Sequence, residues 1–169
     1  MDVGWAGERR EKSAEPGLLC YFSQRRSDFY TMKKVLTVGV YDMLHIGHIL
    51  LFKHAKELFP DGECQLIVAV QDGDSILKYK PETEIVYTTE ERLFMVSAVR
   101  WVDEVVIYRD VDKDIQTIDF DVFAKGPDQT HAGFRRAVEW CRANGKEVVV
   151  IPRTEGISST LIKSYSKVK

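Results

Sequence analysis

Two imidazoles, His45 and His48, flank Gly47 in the segment Gly39-Val-Tyr-Asp-Met-Leu-His-Ile-Gly-His48. An apolar, β-branched run (Val35–Val38) precedes this segment and a helical pattern follows it, so a strand end, a polar turn and a helix start coincide. Free backbone N–H groups and the positive end of a helix dipole at such a point hold a polyphosphate, and imidazoles add hydrogen-bond donors. A second segment, Arg153-Thr154-Glu-Gly-Ile-Ser158-Ser159-Thr160, repeats the logic. There a fork-shaped guanidinium and a cluster of hydroxyls stand at another helix start. Lys78 in the polar stretch 71–89 and the carboxylates Asp42 and Asp128 complete the set of reactive side chains. No GxxxxGK[ST] loop, strand-linked GxGxxG or GxSxG elbow is present, which disfavours Walker-type phosphotransfer, dinucleotide binding and serine-nucleophile chemistry. The remaining chemistry is direct displacement at a phosphorus, in which the protein positions the groups and neutralises charge.

These residues must be carried by regular elements. After the first turn, Leu51, Phe52, Ala55, Leu58 and Phe59 recur at helical spacing, and Pro60-Asp-Gly62 stops the helix. Gln65–Val70 reads as a second buried strand, closing a right-handed βαβ unit with a parallel sheet. Residues 71–89 read as a solvated loop at the ligand end of the sheet. Thr88-Thr-Glu-Glu91 is a capping box opening a helix that runs to about Val99. Trp101–Ile107 leads into a third strand, Asp119–Ala124 is a fourth, and a weak helix lies around Asp112–Ile118. The spacing of Phe134, Ala137, Val138 and Cys141 gives a helix closed at Asn144-Gly145, Glu147–Ile151 is the fifth strand, and a short helix ends near Tyr165. The expected fold is a single α/β domain, a five-stranded parallel sheet with helices on both faces. Its ligand sits off the carboxyl ends of the strands, where Gly39–His48 falls.

Composition agrees with one such domain. The chain has 169 residues, 44% of them hydrophobic, and a net charge of −2, which gives no basic face for nucleic acid. Cys20, Cys64 and Cys141 are odd in number and without CxxC spacing, against a disulfide framework or a zinc site. No apolar run approaches the ~18 residues of a membrane span, and Met1–Arg10 lacks the pattern of a signal peptide, so the expected location is the cytoplasm. Residues 1–31 read as an N-terminal extension, with Leu18–Phe22 as a surface-docking patch, and residues 32–169 as the domain.

Gly39–His48, Arg100-Trp-Val-Asp-Glu-Val105 and Arg153–Thr160 together resemble, in order and in wording, the signature segments of the cytidylyltransferases of the HxGH nucleotidyltransferase superfamily. The likeness is closest to those acting on glycerol 3-phosphate, with choline- and ethanolamine-phosphate relatives, and it spans about Lys33 to Tyr165. It implies a compact Rossmann-like α/β domain, often a homodimer, in which a substrate phosphate attacks the α-phosphate of CTP with release of pyrophosphate, aided by Mg²⁺ bound mainly through the nucleotide. By the same resemblance His45 and His48 bind the triphosphate and stabilise the pentacoordinate α-phosphorus, and Lys78, with Lys80 as a rival, bridges the substrate phosphate and the α-phosphate. Arg153, Ser158 and Thr160 hold the β- and γ-phosphates, and Thr154 and Ser159 also belong to the nucleotide-binding set. Gly39, Val40, Tyr41 and Asp42 form the phosphate turn, and Asp128 contacts the nucleoside. The turn has Val40 where the family often has threonine. An adenylyltransferase on the same fold, or a nucleotide-binding module without catalysis, are the alternative readings.

Overall fold

A computed structural model describes residues 32–60 and 63–166, so the N-terminal extension, Cys20 and Gly62 lie outside the described residues. Five strands, β1 (Lys33–Gly39), β2 (Cys64–Gln71), β3 (Glu104–Tyr108), β4 (Val122–Lys125) and β5 (Glu147–Val150), form one sheet in the order β3-β2-β1-β4-β5. All four pairings are parallel, as the near-continuous apolar strands require. The order reverses direction between β1 and β4. A crevice therefore opens there at the carboxyl ends of the strands.

Helices cover both faces. On one, Phe52 and Ala55 of α1 (Ile46–Lys56) and Val96 of α3 (Thr89–Ser97) pack with Val35, Leu66, Val68 and Val122. On the other, Phe134, Ala137 and Cys141 of α5 (Ala132–Ala143), with Val111 of α4 (Val111–Asp114) and Ile115, pack on Leu36, Val38, Ile67 and Phe123. Alternation along β1 sends Val35 to one core and Leu36 to the other, which is the period-two rule of a strand buried on both sides. Cys141 is fully buried, and burial pushes its thiol up to about 11, so it is a core residue without thiolate character.

The capping box expected at Thr88 is present, with Thr88 accepting from the Glu91 amide and Glu91 from that of Thr88. Gly145 closes α5 with φ +68°. Three sequence expectations change. Residues 71–89 are not loop throughout, because α2 (Gly73–Tyr79) occupies their first part; its single buried apolar position, Ile76, gives too little periodicity to read. The weak helix splits into α4 and a 3-10 turn, Ile115–Thr117. The fourth strand begins at Val122 rather than Asp119, since Asp121 turns its carboxylate back on the Lys34 amide and Lys33. Among the described residues no helix is long and apolar enough to cross a membrane.

Candidate active site

The turn after β1 is built tightly. Tyr41 (φ 53°) and Met43 (φ 51°) both take the left-handed conformation that side-chain-bearing residues seldom adopt. This folds the Tyr41 ring back over Gly39, where a Cβ would come within 2.8 Å of it. Asp42, almost wholly buried, holds the turn in place. Its carboxylate accepts from the Val86 and Tyr87 amides at 3.0 and 3.1 Å and pairs with Lys163 of α6 (Ser159–Ser166) at 2.6 Å. Burial alone would raise this carboxyl, but Lys163 and the two amides outweigh it and keep it below the usual carboxylate range.

His45 is the N-cap of α1, and its Nδ1 accepts from the Gly47 amide at 3.1 Å. With that lone pair engaged, the neutral ring carries its proton on Nε2. The His45 and His48 rings stack, with centroids 3.9 Å apart and planes 20° from parallel, and the Tyr41 ring meets His48 edge-on at 5.3 Å. Two cationic imidazoles would repel at that distance. Burial, then the neighbouring His45, pushes His48 down to about 3, and burial followed by Arg153 lowers His45. Both are therefore neutral hydrogen-bond donors at neutral pH. His48 Nδ1 is buried without a hydrogen-bond partner among the described residues. Gly47 is dictated by this packing, because a Cβ there would lie 2.9 Å from the His45 ring and 3.2 Å from Ile157.

The Ile157 contact joins the two phosphate-type segments. A cleft of about 310 Å³ is lined by Gly39, Val40, Tyr41, His45, Gly47 and His48 on one wall. Gly126–Gln129 and Arg153, Thr154 and Ile157–Thr160 form the others. Arg153 reaches across to Asp128 at 3.3 Å, and both are well exposed. The two serines divide from the threonines. Ser158 Oγ accepts from the Leu161 amide and Ser159 Oγ donates to the Asp42 carbonyl at 2.7 Å, so both hydroxyls build the start of α6. Thr154 and Thr160 keep cleft positions with no such bond among the described residues. Asp42 supports the cleft from behind and is not one of its lining residues. Lys78 and Lys80 are exposed at the end of α2, outside the lining, with the Lys78 ammonium 5.4 Å from the centre of the Tyr79 ring. Arg100 lies over the Trp101 ring, and Asp103 takes the Leu66 amide at 2.6 Å, bracing the opposite, amino end of β2.

Two supporting residues escaped the sequence reading. Arg92 is fully buried and donates to the carbonyls of Val40, Gln71 and Tyr87 and to Thr89 Oγ1, tying the ends of β1 and β2 to α3. Its signal was its place one turn before the inward-facing Val96. Gln129 locks the loop after β4, donating to Val38 O at 2.8 Å and accepting from the Gly126 amide at 2.9 Å. No spacing rule points to it.

A parallel α/β sheet with two phosphate-type loops meeting at its switch point defines a nucleotide-handling domain of the nucleotidyltransferase kind. A family model described as Cytidylyltransferase-like matches residues 36–164, and the chain belongs to that family of nucleotidyltransferases. It is 35% identical over 135 residues to a glycerol-3-phosphate cytidylyltransferase of Staphylococcus aureus, covering 78% of this chain and 93% of the relative. An FAD synthase of Thermococcus kodakarensis is 37% identical over 99 residues, 57% of this chain and 63% of that one. Among solved structures, a lipopolysaccharide core biosynthesis protein from Thermoplasma volcanium superposes with a TM-score of 0.57 at 23% identity, over 73% of this chain and 97% of the other. That likeness concerns the fold.

Proposed function

We propose that this enzyme transfers CMP from CTP to a small phosphorylated alcohol of the glycerol 3-phosphate type and releases pyrophosphate. The observation that carries the reading is the meeting of the two phosphate loops, Ile157 against Gly47, over a pair of stacked neutral imidazoles. The likeness to glycerol-3-phosphate cytidylyltransferase supports the choice of nucleotide and acceptor. In this mechanism an oxygen of the acceptor phosphate attacks the α-phosphorus and the bond to the β-phosphate breaks opposite to it. His45 and His48 donate to the α-phosphate oxygens as charge gathers there, without taking a proton. Arg153, Thr154, Thr160 and the amino end of α6 hold the leaving pyrophosphate, and Asp128 contacts the nucleoside. Lys78 or Lys80 is assigned the bridge between the two phosphates, which requires the end of α2 to move toward the cleft.

Mg²⁺ belongs to the proposal as a partner of the nucleotide phosphates, whose charge it neutralises. Among the described residues no group of three His, Cys, Asp or Glu side chains could hold a metal, and Asp128 is the lone carboxylate lining the cleft. The donor set thus fits an ion carried in on the nucleotide. A homodimer completes the reading.

A pyrophosphate-release assay of four nucleoside triphosphates against phosphorylated alcohols and sugars tests it. Turnover is expected with CTP and a glycerol 3-phosphate-like acceptor, and His48→Ala should lower it by about a hundredfold or more while the protein stays folded. Preference for ATP would move the enzyme to the adenylyltransferases, as the FAD synthase likeness allows. Nucleotide binding with no release across the panel would leave a binding module.

A further inference from the structure

Immediately before the cleft-lining segment Gly126–Gln129 stands a largely buried cation without a task. Lys125 is the last residue of β4, and only 9% of its surface is exposed. Val122 and Ala124 pack in the core beneath α1, and Phe123 packs in the core beneath α5. By strand alternation Lys125 stands on the α5 side, across the sheet from the face that α1 covers. Its Nζ donates to a single acceptor, the Gly126 carbonyl at 2.9 Å, and has no ion-pair partner among the described residues. The acid nearest in sequence, Asp128, turns to Arg153 instead.

An ammonium has three donors and a full charge, and one carbonyl does not compensate its removal from water. Arg92 shows the contrast: wholly buried where Lys125 keeps 9% of its surface exposed, it reaches four separate oxygen acceptors and is complete without a ligand. Lys125 is incomplete. Gln129 holds the backbone on both sides of it, at Gly126 and at the neighbouring end of β1, so the loop carrying the charge is fixed in place. At the start of α5, burial first and then Lys80, Arg135 and Arg136 hold His131 below the ordinary histidine range, against the opposing Asp112, which pairs with Arg136 at 2.6 Å.

We propose that Lys125 binds the phosphate of the acceptor, which enters from the α5 side while the nucleotide phosphates lie along the starts of α1 and α6. This assignment rests on the nucleotidyl-transfer reading. An acceptor-phosphate oxygen forms the new bond to the α-phosphorus, and the bond from that phosphorus to the pyrophosphate oxygen breaks. Its electron pair leaves with the pyrophosphate, and Lys125 keeps its proton throughout.

Lys125→Met retains the length and the apolar stem and removes the charge. With CTP saturating and glycerol 3-phosphate varied, its KM for the acceptor should rise about tenfold or more, the cost of losing a charged hydrogen bond, with the KM for CTP unchanged. In thermal unfolding the unliganded variant should be at least as stable as the parent, and the extra stabilisation that inorganic phosphate gives the CTP-saturated parent, whose nucleotide loops are already filled, should be lost. An unchanged acceptor KM, a rise confined to the KM for CTP, or retained phosphate stabilisation of the CTP-saturated variant would each overturn the assignment. If the parent shows no CTP-dependent pyrophosphate release with any acceptor, the reaction reading fails by itself. The phosphate-stabilisation measurement, which needs no turnover, then still decides whether Lys125 is an anion site.

Discussion

His48 illustrates how packing sets chemistry at the level of one side chain. Its ring is clamped between the stacked His45 and the edge of Tyr41, and burial holds it neutral with a pKa near 3. The unfolded chain would protonate this histidine near 6.5. Because the folded pKa is depressed, the stability that comes from keeping the ring neutral is present above about pH 6.5 and is lost as pH falls from there toward the folded value. Between pH 6.5 and 5 the loss from this one group is ~2 kcal/mol, at 1.36 kcal/mol per pH unit. His48→Asn cannot be protonated, so its urea-unfolding stability should fall by less over the same interval. Parallel pH curves for parent and variant would show that the ring is not held neutral by the fold. The same neutrality confines both imidazoles to donating hydrogen bonds in the proposed transfer.

At the level of elements, Asp42 is the joint. Its carboxylate fastens the segment containing Val86 and Tyr87, and its salt bridge to Lys163 and its carbonyl, which accepts from Ser159, both fasten α6, so one residue aligns two stretches around the first phosphate turn. Asp42→Asn removes the charge opposite Lys163 and sets an amide group against backbone donors. Breaking such a buried pair should cost about 3 kcal/mol in urea unfolding, with faster hydrogen exchange at the Val86 and Tyr87 amides. Unaltered exchange there would mean that the segment is held by other contacts. The sequence showed that Asp42 belonged to the turn but not that it tied the turn to residues more than forty and more than a hundred positions away. That limit recurs. Strands, caps and the two phosphate loops were legible because each is written in local spacing. The burial of Arg92, the lock formed by Gln129 and the exposed position of Lys78 depend on which strand ends become neighbours, and α2 was too short to register a period. Ser158 and Ser159 read as phosphate ligands because a helix cap and an anion site use the same residues; both line the cleft, and their bonds to the Leu161 amide and the Asp42 carbonyl add a part in building the start of α6.

At the level of the whole molecule, the question is what covers the outer face of α3. Arg92 and Val96 point into the protein, whereas Phe94 leaves 76% of its surface exposed, and Ser97 and Ala98 are exposed one turn further on. Positions 94, 97 and 98 share one stripe of the helix, so a large ring stands beside two small residues. Such a stripe is self-complementary under a two-fold axis, since the ring of one copy fits over the small residues of the other. The proposed homodimer would use it, removing two phenylalanine rings from water at about 1.5–3 kcal/mol each. Sedimentation velocity at tens of micromolar should then give a dimer for the parent and a monomer for Phe94→Glu, which buries a charge in the same place. The substitution lies outside the cleft, so the variant should still bind CTP as a monomer. A parent that sediments as a monomer would remove the dimer from the proposal, and a Phe94→Glu protein that remains dimeric would place the interface on another face.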